Sequence, residues 1–282
     1  MTNDDGPGVP LEPPRGLDDT LEQLDVIVSA AHSHRSPIGI FPAMYRSVTA
    51  EIRDAVHGGF FANNTTMEHL AVVFADRYLD ALALWTRGES PTRSWTVAFE
   101  AATDGRRRMI VQHLLVGMNA HINLDLGIVA AEVSGSDPEG TYGDFLRVNQ
   151  ILFQKLNGLQ DTLGTVSTRM AWIDRIGGRL DEQLMTLAIK DARNDAWDLA
   201  ESLVADPDHS ERLIEERDIR TAELGATIVG GAMPVRVASR FVARSEPTDV
   251  REVIDAFTLG SVDLDEVEVA VASQLDEVGG HP

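Results

Sequence analysis

The stretch His113-Leu-Leu-Val-Gly-Met-Asn-Ala-His121-Ile-Asn-Leu-Asp125-Leu126 constrains this chain most: it is apolar enough for the middle of a core, yet carries two His, two Asn and an Asp. A polar group buried without a partner costs about 2–7 kcal/mol, so these side chains need a hydrogen-bond network, a metal or a ligand. At 100° per residue, Gly117, His121 and Asp125 lie about 40°, 80° and 120° from His113 and share one stripe. Asn119 and Asn123 fall with Gln112 on another face. Two polar faces predict a helix surrounded by protein, with Gly117 leaving space in the first stripe.

A second helix, expected over Met67–Thr86, places His69, Asp76 and Asp80 within about 40° of one another. Were the two helices antiparallel neighbours, the stripes would frame a pocket of His and carboxylate groups. Helical rise separates His113 from His121 by about 12 Å, too far for one ion held by bonds of about 2 Å. The spacing therefore makes His121 and Asp125 the candidate metal ligands. His69, Asp76 and His113 are the candidate catalytic acid–base groups or further ligands, and Asn119 and Asn123 the candidate substrate-binding groups. His and carboxylate ligands without thiolate suit zinc, iron or manganese. No standard signature accompanies them: neither His-Glu-x-x-His nor paired Glu-x-x-His motifs occur. The competing reading is structural, with the His and Asn side chains satisfying backbone groups and Asp125 paired with an Arg such as Arg77.

The 282 residues, 43% of them hydrophobic, suffice for a sizeable core. A net charge of -21 argues against nucleic acid or an anionic membrane as partner, since both are bound through Lys and Arg. Without an uninterrupted apolar run of membrane-spanning length or a signal-peptide pattern, a cytoplasmic location is expected. The absence of cysteine removes disulfide, thiolate and iron–sulfur chemistry. Lys155 and Lys190, the two lysines, read as surface helix positions. No nucleotide cofactor is expected: the glycine-rich segment Gly225–Met233 lacks a following Gly-Lys-Ser/Thr, and close helix packing explains it better. Arg106-Arg-Arg108 and the acidic stripe Asp191, Asn194, Asp195 and Asp198 read as solvated faces. Trp85, Trp95, Trp172 and Trp197 read as wedges in the bundle rather than a cofactor site.

Residues 1–16 form a proline-rich leader, expected to be flexible. Helical periodicity then recurs over Leu17–His32, Pro42–His57, Met67–Thr86, Trp95–Val133, Gly143–Thr165 and Leu180–Ala205. Capping boxes are expected at Thr65–Glu68, Asp208–Glu211 and Asp249–Glu252. This predicts a mainly α fold, a multi-helix bundle with a buried polar central helix over 17–205. Residues 206–282 add C-terminal helices packed on the bundle or extending it.

Four segments carry a resemblance: Phe60…Met67-Glu-His69…Phe74-Ala-Asp-Arg-Tyr78, Trp95-Thr-Val-Ala-Phe99, the His113–Leu126 stretch, and Asp144-Phe-Leu-Arg-Val-Asn149. Together they resemble an uncharacterised bacterial family, a domain of unknown function with the hallmark Asn-Ala-His-Ile-Asn-x-Asp-Leu, over about residues 17–205. The resemblance brings no established activity. It implies that His113, Asn119, His121, Asn123 and Asp125 are the family's polar centre. The leading expectation is a small-molecule enzyme, a hydrolase using a metal-activated water. A metal-free acid–base isomerase, lyase or cyclase and a non-enzymatic acidic interaction protein are the alternatives.

Overall fold

The computed structural model describes residues 12–135, 138–166, 180–230 and 249–257, with Glu268 and Val271; for 138–139, 153, 156–166 and 180–191 it describes the backbone alone. The described residues form helices joined by short turns, with no strand among them. In chain order these are α1 (Leu17–His34), α2 (Ile40–His57), α3 (Asn64–Thr86), α4 (Arg93–Thr103), α5 (Ile110–Ala120), a π-helical turn (His121–Asp125) and α6 (Leu126–Ser134). The chain continues through α7 (Pro138–Val166), α8 (Leu180–Ala205), α9 (Ser210–Gly230) and α10 (Val250–Ala256).

Apolar side chains from α1 to α3 meet those of α5 and α6 in one core, in which Leu24, Ile27, Val48, Leu82 and Val129 are fully buried. Around it α6 lies along α8, α9 lies along α4 and α5, and α10 rests on α1, α2 and α7. The run Ile110–Ser134 is long and apolar enough to cross a membrane, but 78% of its most apolar window is buried inside the bundle. It serves here as a core element.

The stretch expected as one helix over Trp95–Val133 is instead broken at 104–109. Gly105 turns the chain at φ +70°, and Arg108 grips both oxygens of Asp104 at 2.6 Å and the Ala101 carbonyl at 2.7 Å. The segment Asp104-Gly105-Arg-Arg-Arg108 carries no apolar position, and its Asp-Gly pair is a turn signal that a single-helix reading passes over. The α3 cap is Asn63, whose side chain accepts from the Thr66 N–H, rather than Thr65. α9 starts at Ser210, after a 3-10 turn over Pro207–His209. At Asp249 the expected cap is present, accepting from the Arg251 N–H.

Two carboxylates cap helices from far along the chain. Asp144, 2% exposed, accepts from the N–H groups of Ala62 and Asn63 at 3.0 and 2.8 Å, ahead of α3. Asp218 on α9 accepts from the N–H groups of Arg93 and Ser94 at 2.8 and 2.9 Å, at the start of α4. Each satisfies backbone donors that have no partner within their own helix. Lys155, expected at the surface, is buried and bonds Glu51 at 2.7 Å. Asn194, Asp195 and Asp198 are exposed, as a solvated face requires. Trp172, Lys190, Asp191, the leader up to Leu11 and most of the acidic C-terminus lie outside the described residues or side chains.

Candidate functional site

The segment His121-Ile-Asn-Leu-Asp125 is a π turn, closed by the Leu126 N–H bonding the His121 carbonyl five residues back. Such turns are rare and occur mostly as single insertions in α-helices, often at functional sites. The wider turn shifts the α6 residues relative to the α5 residues, so a uniform 100° count does not hold across it. Even so, His121 and Asp125 meet. His121 Nδ1 stands 3.3 Å from Asp125 Oδ2.

Asp125 is 1% exposed and is the hub of the site. Its Oδ2 also accepts from the indole Nε1–H of Trp95 at 2.8 Å, and its Oδ1 from Arg77 Nε at 3.2 Å. The Arg77 partner expected from sequence is present, while the Trp95 contact was not foreseen from it. A buried indole N–H must find an acceptor, and that rule was the available signal. Arg77 is one-third exposed, so its guanidinium lies between the buried carboxylate and solvent.

Around His121 the structure builds a box of rings. Phe74 stacks on the imidazole with centroids 3.6 Å apart and planes within 6°. Tyr45, Phe41 and Trp95 stand at 4.6, 5.6 and 5.9 Å. Burial lowers the His121 pKa against the opposing pull of Asp125, so the ring favours its neutral form. With Nδ1–H directed at the carboxylate, Nε2 is left as an acceptor, and it is buried without a hydrogen-bond partner.

His113 lies in a different place, on the wall of a cavity shared with Phe41, Tyr78, Trp95, Phe99 and Gly117. The cavity volume is about 20 Å³, room for a water or two. His113 Nδ1 and the Tyr78 hydroxyl are both buried without a partner. Burial, reinforced by the positive charge of Arg108, pulls the His113 pKa down to about 4. The space expected beside Gly117 is filled by Phe41: a Cβ at Gly117 would come within 2.7 Å of its ring.

Asn119 and Asn123 face away from this cavity. Asn119 Nδ2 donates to the Thr221 carbonyl of α9 at 2.8 Å, and Asn123 Nδ2 donates to Asn119 Oδ1 at 3.0 Å. Gln112, on the same face, donates to the Ile228 carbonyl at 2.9 Å. This face docks α9, and Gly225 lets it approach: a Cβ there would lie 3.2 Å from Asn119 Nδ2. The close-packing reading of Gly225 holds.

α3 is a neighbour of α6 and of the π turn, as the two-stripe expectation required. However, neither His69 nor Asp76 hydrogen-bonds to His113, His121 or Asp125. His69 is exposed, and Asp76 is half-buried beside Asp80 and Glu132. Burial and then the Asp80 charge raise the Asp76 pKa. Among the described residues no three His, Asp or Glu side chains are grouped so as to hold a metal ion. Within the pair, the imidazole donates through Nδ1 to the carboxylate, which fixes the orientation of the ring.

The chain belongs to DUF5995, a family of unknown function, whose model matches residues 17–230. The match takes in α9 as well as the bundle that precedes it. No curated protein and no solved structure matches the chain.

Proposed function

We propose that this member of DUF5995 is a metal-independent acid–base enzyme acting on a small, mostly apolar molecule. The observation that carries this reading is the His121–Asp125 pair: a neutral imidazole, oriented through Nδ1 by a carboxylate that Trp95 and Arg77 hold in place, with Nε2 unpartnered. A base held by an orienting carboxylate is the minimum equipment for moving a proton. Phe41 and Trp95 belong both to the box around His121 and to the cavity wall, so that cavity is the route by which a substrate reaches the imidazole. Its small volume requires the ring of Phe41 to move as the molecule enters. The same narrowness favours a second reading, in which the network serves the fold alone.

The test is incubation in D2O with pooled ketones, lactones, esters and epoxides, followed by mass spectrometry for deuterium uptake or conversion. Turnover should resist a chelator and be abolished in His121→Gln and Asp125→Asn variants that retain the fold. Conversion undiminished in His121→Gln would retire the reading. Loss on chelation with recovery in zinc or manganese would replace it by metal-dependent hydrolysis, and no conversion by folded wild type would favour the structural role.

A further inference from the structure

Away from this centre, α8 buries a cation that no carboxylate among the described residues neutralises. Arg193 is 5% exposed, and its Nη1 donates to the backbone carbonyl of Asn149 on α7 at 2.6 Å. Its Nε and Nη2 are buried with no hydrogen-bond partner, and among the described residues no carboxylate pairs with it. Burial pulls its pKa down to about 9. Beside it, Asn149 Oδ1 is also buried and unpartnered. An unpaired buried guanidinium costs several kcal/mol, and so calls for an explanation beyond packing.

The identity of the unpaired atoms narrows the ligand. Nε–H and one Nη2–H lie parallel along one edge of the planar guanidinium, spaced to match the two oxygens of a carboxylate. The chain uses this same edge elsewhere: Arg46 holds Asp25 through Nε at 2.8 Å and Nη2 at 3.1 Å. At Arg193 the edge is complete and unused, while the third nitrogen is fixed by the Asn149 carbonyl, which locks the plane of the fork. A carboxylate offers two oxygens to two parallel N–H groups, whereas a single water offers one oxygen to both and leaves the charge unneutralised.

We propose that the seam between α7 and α8 binds a small carboxylate, with Arg193 as its anchoring residue through the Nε and Nη2 edge and Asn149 beside it. Both nitrogens are shielded from water, so entry requires side chains of the seam to part, and binding should rigidify the junction of the two helices.

The probes are sodium acetate and sodium benzoate, compared with sodium chloride at matched ionic strength. The readouts are the ¹⁵N resonances of the Arg Nε–H groups and thermal melting, on the full chain. One carboxylate should move a single Arg Nε–H resonance saturably and raise the melting temperature by several degrees. Arg193→Lys keeps the charge without the fork, and should lose that resonance and most of the rise. An Nε–H spectrum indifferent to both carboxylates, or moved equally by chloride, overturns the proposal. So does an undiminished rise in Arg193→Lys. Because the resonance titration is made on wild type, the outcome does not depend on a variant folding, and it is independent of His121.

Discussion

At the scale of single residues, Asp125 carries more than its neighbours. Its two oxygens receive Trp95, Arg77 and His121, and two of these three donors are themselves buried. Asp125→Ala leaves them without an acceptor and should cost on the order of 3 kcal/mol in a denaturant titration. His113 sets a pH dependence with a definite sign. Its folded pKa of about 4 lies below the ordinary 6.5, so between those values the unfolded chain binds the proton more tightly. Above pH 6.5 the effect vanishes. As pH falls from 6.5 towards 4, wild type should lose up to about 3 kcal/mol more stability than His113→Leu, measured at each pH. Parallel curves for the two proteins would show that His113 is not held neutral. The partnership of Asp125 with Arg77 was legible in the sequence, because a buried acid needs a base and few were within reach of the stripe. The ring box was not, since no spacing in the sequence tells that Phe41, Tyr45 and Phe74, which come from two helices, gather on one imidazole.

At the scale of elements, glycines set how closely helices approach, and their neighbours rank the cost of filling them. A Cβ at Gly127 would lie 2.7 Å from the Ala196 carbonyl, backbone that cannot yield. At Gly117 it would meet the Phe41 side chain at 2.7–2.9 Å, and at Gly225 Asn119 and Val97 at 3.2 and 3.3 Å. Overpacking costs roughly 1–3 kcal/mol, while Gly→Ala inside a helix returns about 1 kcal/mol. Melting of the three alanine variants should rank Gly127 as most destabilised, then Gly117, with Gly225 near neutral. Equal losses at all three would mean that propensity and not contact decides. The helices themselves were legible from their periodicity, within a few residues at most ends. Of two local departures, the break at 104–109 was legible in the Asp104-Gly105 pair and the charged run after it, whereas the π turn was hidden, because an angular count at 100° assumes it away. The caps from Asp144 and Asp218 were hidden for a different reason. An acidic side chain on a helix looks solvated until its distant partner is known.

For the molecule as a whole, 45 acidic residues face 24 Lys and Arg. Many of the basic residues already have acidic partners, among them Arg46 with Asp25, Arg53 with Asp18 and Asp54, and Arg251 with Asp249. The acids outnumber the bases by 21 and so repel one another across the surface. The melting temperature should rise as monovalent salt goes from a few millimolar to a few hundred, at fixed pH, because screening shortens the reach of that repulsion to about 10 Å at 0.1 M. A flat or falling curve would show that the ion pairs outweigh the repulsion.

The caps also impose an order in time. Asp218 lies 124 residues beyond the Ser94 N–H that it satisfies. At a synthesis rate of about 5–20 residues per second, the start of α4 leaves the ribosome roughly 6–25 s before its cap exists. For that interval water must hold those N–H groups, and the cap of α4 must wait for α9. A chain interrupted before residue 218 is thus left with an uncapped α4, and a turn made late closes a gap opened much earlier.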